Sequence, residues 1–126
     1  MRDFKKLTVW QKADELVVQV YTASVRFPST EQYGLTSQFR RAAVSIAANI
    51  AEGSARRTLK EFQQFLFIAR GSLAEVEYYI HLSQRLGYLE DSQTQQLEET
   101  RREVGGILQG LIKSVDAQMR SGRINN

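Results

Sequence analysis

The chain has no cysteine, which excludes a disulfide framework and any thiolate-held zinc or iron-sulfur centre and points to a reducing compartment. It has one histidine, His81. The nearest preceding glutamate is Glu77, four residues away, so the Glu-x-x-His pairs that hold di-iron centres in helical bundles are absent. With one histidine and no cysteine there is also no basis for a nucleophile-base-acid set. No glycine-rich phosphate loop follows a strand-like segment. No apolar run reaches the roughly 20 residues of a membrane span, and the opening residues lack the signal-peptide core of about 7 to 15 apolar residues. These shortages predict a soluble, cytoplasmic, non-enzymatic protein with no cofactor, no metal and no membrane partner. A single proline, Pro28, leaves room for long helices, and no strand-like alternation occurs.

What is present is ample apolar material in helical register. Of 126 residues, 42% are hydrophobic, enough for one continuous core, so residues 1–120 are expected to form a single domain with a polar, frayed tail at 121–126. Thr8 and Gln11 have capping-box spacing and predict a helix over Val9 to Arg26. Its apolar stripe would be Val9, Ala13, Leu16, Val17, Val20, Tyr21 and Val25. Phe27-Pro28 stops it, and Ser29 to Gln32 followed by Gly34 predicts a short elbow. A second helix is expected from Leu35–Ser37 to Ala51–Gly53, with Phe39, Ala43, Ile46 and Ile50 inward and Gly53 as a left-handed stop. Thr58 and Glu61 cap a third helix that ends at Leu86-Gly87. Asp91 or Ser92 starts a fourth, with Leu97, Val104, Leu108, Leu111, Val115 and Met119 inward. Its Gly105, Gly106 and Gly110 would mark close approach or a bend. Four helices with short connections predict an all-α, antiparallel four-helix bundle.

The third helix carries more apolar surface than one core needs. Phe62, Leu66, Ala69, Leu73, Val76 and Ile80 form one stripe, while Phe65, Phe67, Ile68, Tyr78 and Tyr79 spread round the cylinder. Phe65, Phe67, Tyr78 and Tyr79 are therefore candidates for contact with another chain. The net charge is only +3, but residues 1–63 carry ten basic and six acidic groups while 64–126 carry seven and eight. Between residues 40 and 60, Arg40, Arg41, Arg56, Arg57 and Lys60 face only Glu52. Arg41, Ser45, Asn49, Glu52 and Arg56 also fall on one helical stripe. Ser45 and Asn49 are poor formers of helix interiors, so a partnered polar contact, in the chain or at an oligomer interface, is expected there.

Within that stretch, Gln38, Arg40-Arg41-Ala42, Ser45-Ile46 and Asn49-Ile50-Ala51-Glu52-Gly53 resemble the signature of the four-helix bundle family encoded in intervening sequences of 23S ribosomal RNA genes. The resemblance extends to Leu7-Thr8-Val9-Trp10-Gln11-Lys12-Ala13, Phe27-Pro28, Glu31, Tyr33-Gly34-Leu35, Glu61-Phe62, Ala69-Arg70-Gly71-Ser72-Leu73-Ala74-Glu75 and Leu86-Gly87-Tyr88. Ala47 departs from it, standing where the family usually has proline after Ser-Ile. The resemblance implies a homo-oligomer, pentameric in relatives. A related branch, the accessory proteins of diversity-generating retroelements, implies a basic assembly that binds nucleic acid and a protein partner. The expectation is a non-catalytic homo-oligomer whose Arg40, Arg41, Arg56, Arg57 and Lys60 contact RNA or DNA phosphates. The alternative is a protein-protein assembly module in which those arginines bridge subunits.

Overall fold

The computed structural model describes residues 2–122. Four long helices account for most of them: α1 (Thr8–Ser24), α2 (Leu35–Ser54), α3 (Leu59–Arg85) and α4 (Asp91–Ser121). Short 3-10 turns at Phe4–Lys6 and Ser29–Glu31 precede α1 and α2, and no strand occurs among the described residues. Each helix packs on two others: α1 on α2 and α4, α3 on α2 and α4, with no direct α1–α3 or α2–α4 packing. Every helix therefore buries one stripe in a shared core and leaves another side to solvent.

The core follows the 3.6-residue repeat. From α1 it takes Val9, Ala13, Leu16, Val20 and Ala23, continuing into Phe27. Alternating steps of four and three keep that stripe straight, so Tyr21 and Val25, expected inward, are exposed, and Ala23 with Ser24 takes the inner positions. The α2 stripe is Phe39, Ala43, Ile46 and Ile50, and all six inward residues expected of α3 are buried. In α4 the stripe steps from Leu108 to Ile112 and Val115, leaving Leu111 only half-buried at its flank.

Several ends differ from their sequence signals. Thr8 lies inside α1 behind Leu7 and caps nothing. Gln11 instead donates its side-chain amide to the Lys5 carbonyl at 2.9 Å, closing the helix onto the preceding turn. The helix ends at Ser24, short of Arg26. Thr58 caps as expected, accepting from the Glu61 amide at 3.1 Å. The cap of α4 is Glu90, one residue before the expected pair, in a reciprocal box with Gln93. Of the expected tail, Ser121 closes α4 and residues 123–126 lie outside the described residues. Ala47 is buried, and α2 runs unbroken through it.

Glycines divide by role. Gly87, at φ 78°, terminates α3 in the left-handed region. Gly53 is not a left-handed stop but a point of contact: a Cβ there would lie 2.7 Å from the Cβ of Phe65 and 3.3 Å from the Phe62 carbonyl. At the opposite end of α2, Phe27 packs 5.4 Å from Tyr88 and 6.2 Å from Phe39, ring to ring. The Tyr88 hydroxyl donates to Glu31 at 3.0 Å, and the other Glu31 oxygen accepts from the Leu35 amide at 3.3 Å. One carboxylate thus ties the α3–α4 turn to the first turn of α2.

Candidate nucleic-acid interface

Contact at Gly53 draws the end of α2 against the start of α3, and the short connection at residues 55–58 carries Arg56 and Arg57 across the gap. Arg56 lies 4.8 Å over the Phe65 ring and pairs with Glu52 one turn back. Arg2 arrives from the chain start. Its backbone N–H donates to the Ser54 carbonyl at 3.3 Å, and its guanidinium lies 4.3 Å over Phe62. Arg2, Ala55, Arg56 and Arg57 line one cleft. Arg57 and Lys60 are exposed and form no ion pair with a described residue. An arginine stacked on a ring keeps its donor edge available, so these groups form a pre-oriented cationic surface.

The five basic residues expected to act together do not form one cluster. Arg56 lies just beyond the end of α2 at Ser54, and the helix from Arg40 to that end alone rises about 21 Å. Arg40 is also committed to the fold: its Nε donates to Ser24 Oγ at 2.8 Å and its guanidinium lies 4.6 Å over Tyr21. Arg41 is exposed beside Gln38, Ser45, Glu75 and Tyr79. Arg2, which no motif singled out, belongs to the cleft through contacts with residues more than fifty positions away, and no local signal could have revealed it.

Among the other described cations, four are ion-paired: Lys12, Arg101, Arg102 and Arg120. Arg101, mostly buried, donates to Glu98 at 2.7 Å and lies 3.6 Å from Glu77. The hydrogen bond to Glu98 raises its pKa, outweighing the desolvation that lowers it. Lys12 reaches Glu103 at 3.2 Å and Glu15 at 3.5 Å, and its pKa is raised chiefly by the hydrogen bond to Glu103. Arg120 pairs with Asp116.

The polar stripe of α2 is satisfied within the chain. Ser45 and Ser72 hydroxyls meet at 2.8 Å across the α2–α3 contact, and the Asn49 amide donates to the Ser45 carbonyl at 2.8 Å and its hydroxyl at 3.0 Å. The four aromatic interface candidates split. Tyr79 packs against Phe39 and Phe65 lies under Arg56, both half-buried, whereas Phe67 and Tyr78 are 41% and 56% exposed and face outward with Ile68. Arg70 lies 4.9 Å over Phe67. His81 is exposed beside Tyr78, and no group of three or more potential metal ligands gathers among the described residues. No described helix is long and apolar enough to cross a membrane.

Residues 5–110 match the family model described as 23S rRNA-intervening sequence protein. The chain belongs to that family. Its helices also resemble a crystal structure from Bacteroides thetaiotaomicron, a protein of unknown function from the S23 ribosomal protein family. The match covers 83% of this chain and 95% of that one, at 25% identity and a TM-score of 0.76. No curated protein matches the chain. Inside the span matched to the 23S rRNA-intervening sequence family lie α1 to α3, most of α4 and every cleft residue except Arg2.

Proposed function

We propose that this member of the 23S rRNA-intervening sequence family is a non-catalytic, cytoplasmic, antiparallel four-helix bundle that assembles with copies of itself and binds nucleic acid through phosphate contacts. The antiparallel path is supported by the order of cross-contacts: Gly53 with Phe62 and Phe65, Ser45 with Ser72, Phe39 with Tyr79. The observation that carries the binding reading is the arginine cleft at the α2–α3 connection, where Arg2, Arg56, Arg57 and the adjacent Lys60 have Glu52 as their one ion-pair partner among the described residues. Phosphate contacts of this kind position a strand without reading its sequence.

A binding titration with structured RNA, single-stranded DNA and duplex DNA at two salt concentrations tests this. Affinity should vary little with sequence and fall steeply with salt, by a log-log slope of about −0.9 per contact on duplex or about −0.7 on single strands. Arg57→Glu with Lys60→Glu, both on exposed side chains, should weaken all three ligands and flatten the slope while leaving helix content intact. No binding to any of them at about 50 mM salt would discard the reading.

A second reading rests on a different surface. Phe67, Ile68 and Tyr78 make the outer side of α3 apolar, as suits a protein-protein assembly module. Under that reading the arginines bridge subunits, and the charge reversals would change oligomer size instead of nucleic-acid affinity.

A further inference from the structure

The geometry points to a discrete phosphate site formed by Arg2, Arg56 and Arg57, with Arg2 as its defining residue. Two of the three guanidiniums are fixed before any ligand arrives: Arg2 on the Phe62 ring at 4.3 Å and Arg56 on the Phe65 ring at 4.8 Å. Phe62 and Phe65 are also the residues that a Cβ on Gly53 would meet, so the rings beneath Arg2 and Arg56 sit at a close α2–α3 approach. The Arg2 backbone is anchored as well, through the Ser54 carbonyl. Stacking immobilises the flat face of a guanidinium and leaves its edge N–H groups to fork onto oxygens, the arrangement that suits a phosphate better than a lysine ammonium would.

Charge at this corner favours an anion. The C-terminal end of α2 brings partial negative charge, but the N-terminal end of α3 lies across the short connection, and the two half-charges oppose each other. In the first turn of α3 the Glu61 amide already donates to Thr58 Oγ1, which in turn donates to the Glu61 carboxylate, so the arginine side chains are the main attraction. Of the three arginines only Arg56 has a carboxylate partner among the described residues, Glu52. That leaves a surplus of about two positive charges for one phosphate group.

The ligand class is therefore a phosphate group carried either by a nucleic-acid strand or by free phosphate. As a strand contact the site rests on the nucleic-acid reading above, and the test separates the two sources. The protein, tagged if needed at its C-terminus, is titrated with inorganic phosphate and, separately, with a short single-stranded RNA, while its backbone amides are followed by NMR. Phosphate should shift Arg2, Ala55, Arg56 and Arg57 and leave Lys113 on α4 in place. In parallel, Arg2→Gln with Arg57→Gln should weaken RNA binding on the order of tenfold and reduce its salt slope by about 1.4, two contacts' worth. Lys113→Gln should do neither. If the wild type binds RNA, the double variant binds as well, and phosphate leaves the cleft amides unmoved, the site is overturned while nucleic-acid binding stands elsewhere on the surface. Shifts with phosphate but no binding of this RNA or of the three nucleic acids above would support the site as one for free phosphate and sink the nucleic-acid reading. Silence with both ligands would overturn the site.

Discussion

Gly53 and Gly106 both lie inside helices but meet opposite surroundings, and substitution should separate them. At Gly106 nothing lies within 4 Å of a new Cβ. Gly106→Ala should therefore stabilise the protein by about 0.5–1 kcal/mol through helix propensity alone. The same gain is available at Gly53, but there the new methyl would meet the Cβ and backbone oxygen of neighbouring phenylalanines, atoms that cannot swing aside. Overpacking of this kind costs about 1–3 kcal/mol, so Gly53→Ala should lower the denaturation midpoint while Gly106→Ala raises it. Equal shifts in one direction would show that the α2–α3 contact has slack. Arg40 makes a related point. A run of basic letters in the sequence is not a basic surface, because one turn of register decides whether a guanidinium faces solvent or, like Arg40, bonds Ser24 and covers Tyr21.

Between helices, the Ser45–Ser72 contact is the polar element of an otherwise apolar seam. Asn49→Ala removes two hydrogen bonds of about 1 kcal/mol each and returns roughly 0.5 kcal/mol in propensity, so a net loss of about 1.5 kcal/mol is expected in urea titration. An unchanged midpoint would mean that water replaces the amide without loss. The Tyr88–Glu31 link joins two connections, and its hydrogen bond, with smaller contributions from burial and from the Glu31 charge, raises the Tyr88 pKa above its usual 10.0. A raised acid favours the protonated folded state. Its contribution is thus complete below about pH 10 and is lost as pH climbs through the higher folded value. Lys12 is raised as well and adds a loss of the same sign. Tyr88→Phe should start less stable at pH 8 yet lose less between pH 8 and 11 than the wild type in thermal melts. The helices and their inward stripes were legible because a 3.6-residue repeat writes burial directly into spacing. Caps were less so: Thr8 and Gln11 have the right letters, but Gln11 finds a nearer acceptor in Lys5, and Glu90 caps α4 although its position looks like loop. The cleft was half legible, since Arg56, Arg57 and Lys60 stand close in sequence and Arg2 does not.

For the whole molecule, the outward faces of α3 and α1 predict assembly. Phe67, Ile68 and Tyr78 flank Gly71, where an added Cβ would meet nothing within 4 Å, and Val18 and Tyr21 on α1 with Val25 just past its end make a second exposed apolar stripe. Light scattering coupled to size exclusion should report an oligomer at micromolar concentration. Five copies would carry about +15 together, enough to gather weak phosphate contacts by effective concentration. Gly71→Glu should shift the population toward monomer with helix content unchanged. A wild type that runs as a monomer would instead mark the α3 face as ordinary exposed surface.

The pattern of helix neighbours also governs how the chain reaches this state. Three of the four packed pairs join helices consecutive in sequence, and the fourth, α1 with α4, closes the set. Consecutive pairs need only short loops to meet, so most of the structure can form through local encounters, and microsecond-to-millisecond folding is expected. The α1–α4 seam must wait for the intervening chain to be compact. In stopped-flow experiments, truncations at Ser45–Ser72 should slow folding, whereas truncating Leu16 or Leu108, which line the first and last helices, should mainly speed unfolding. The last seam to form would then be the first to open, and slow hydrogen exchange would persist longest in α2 and α3.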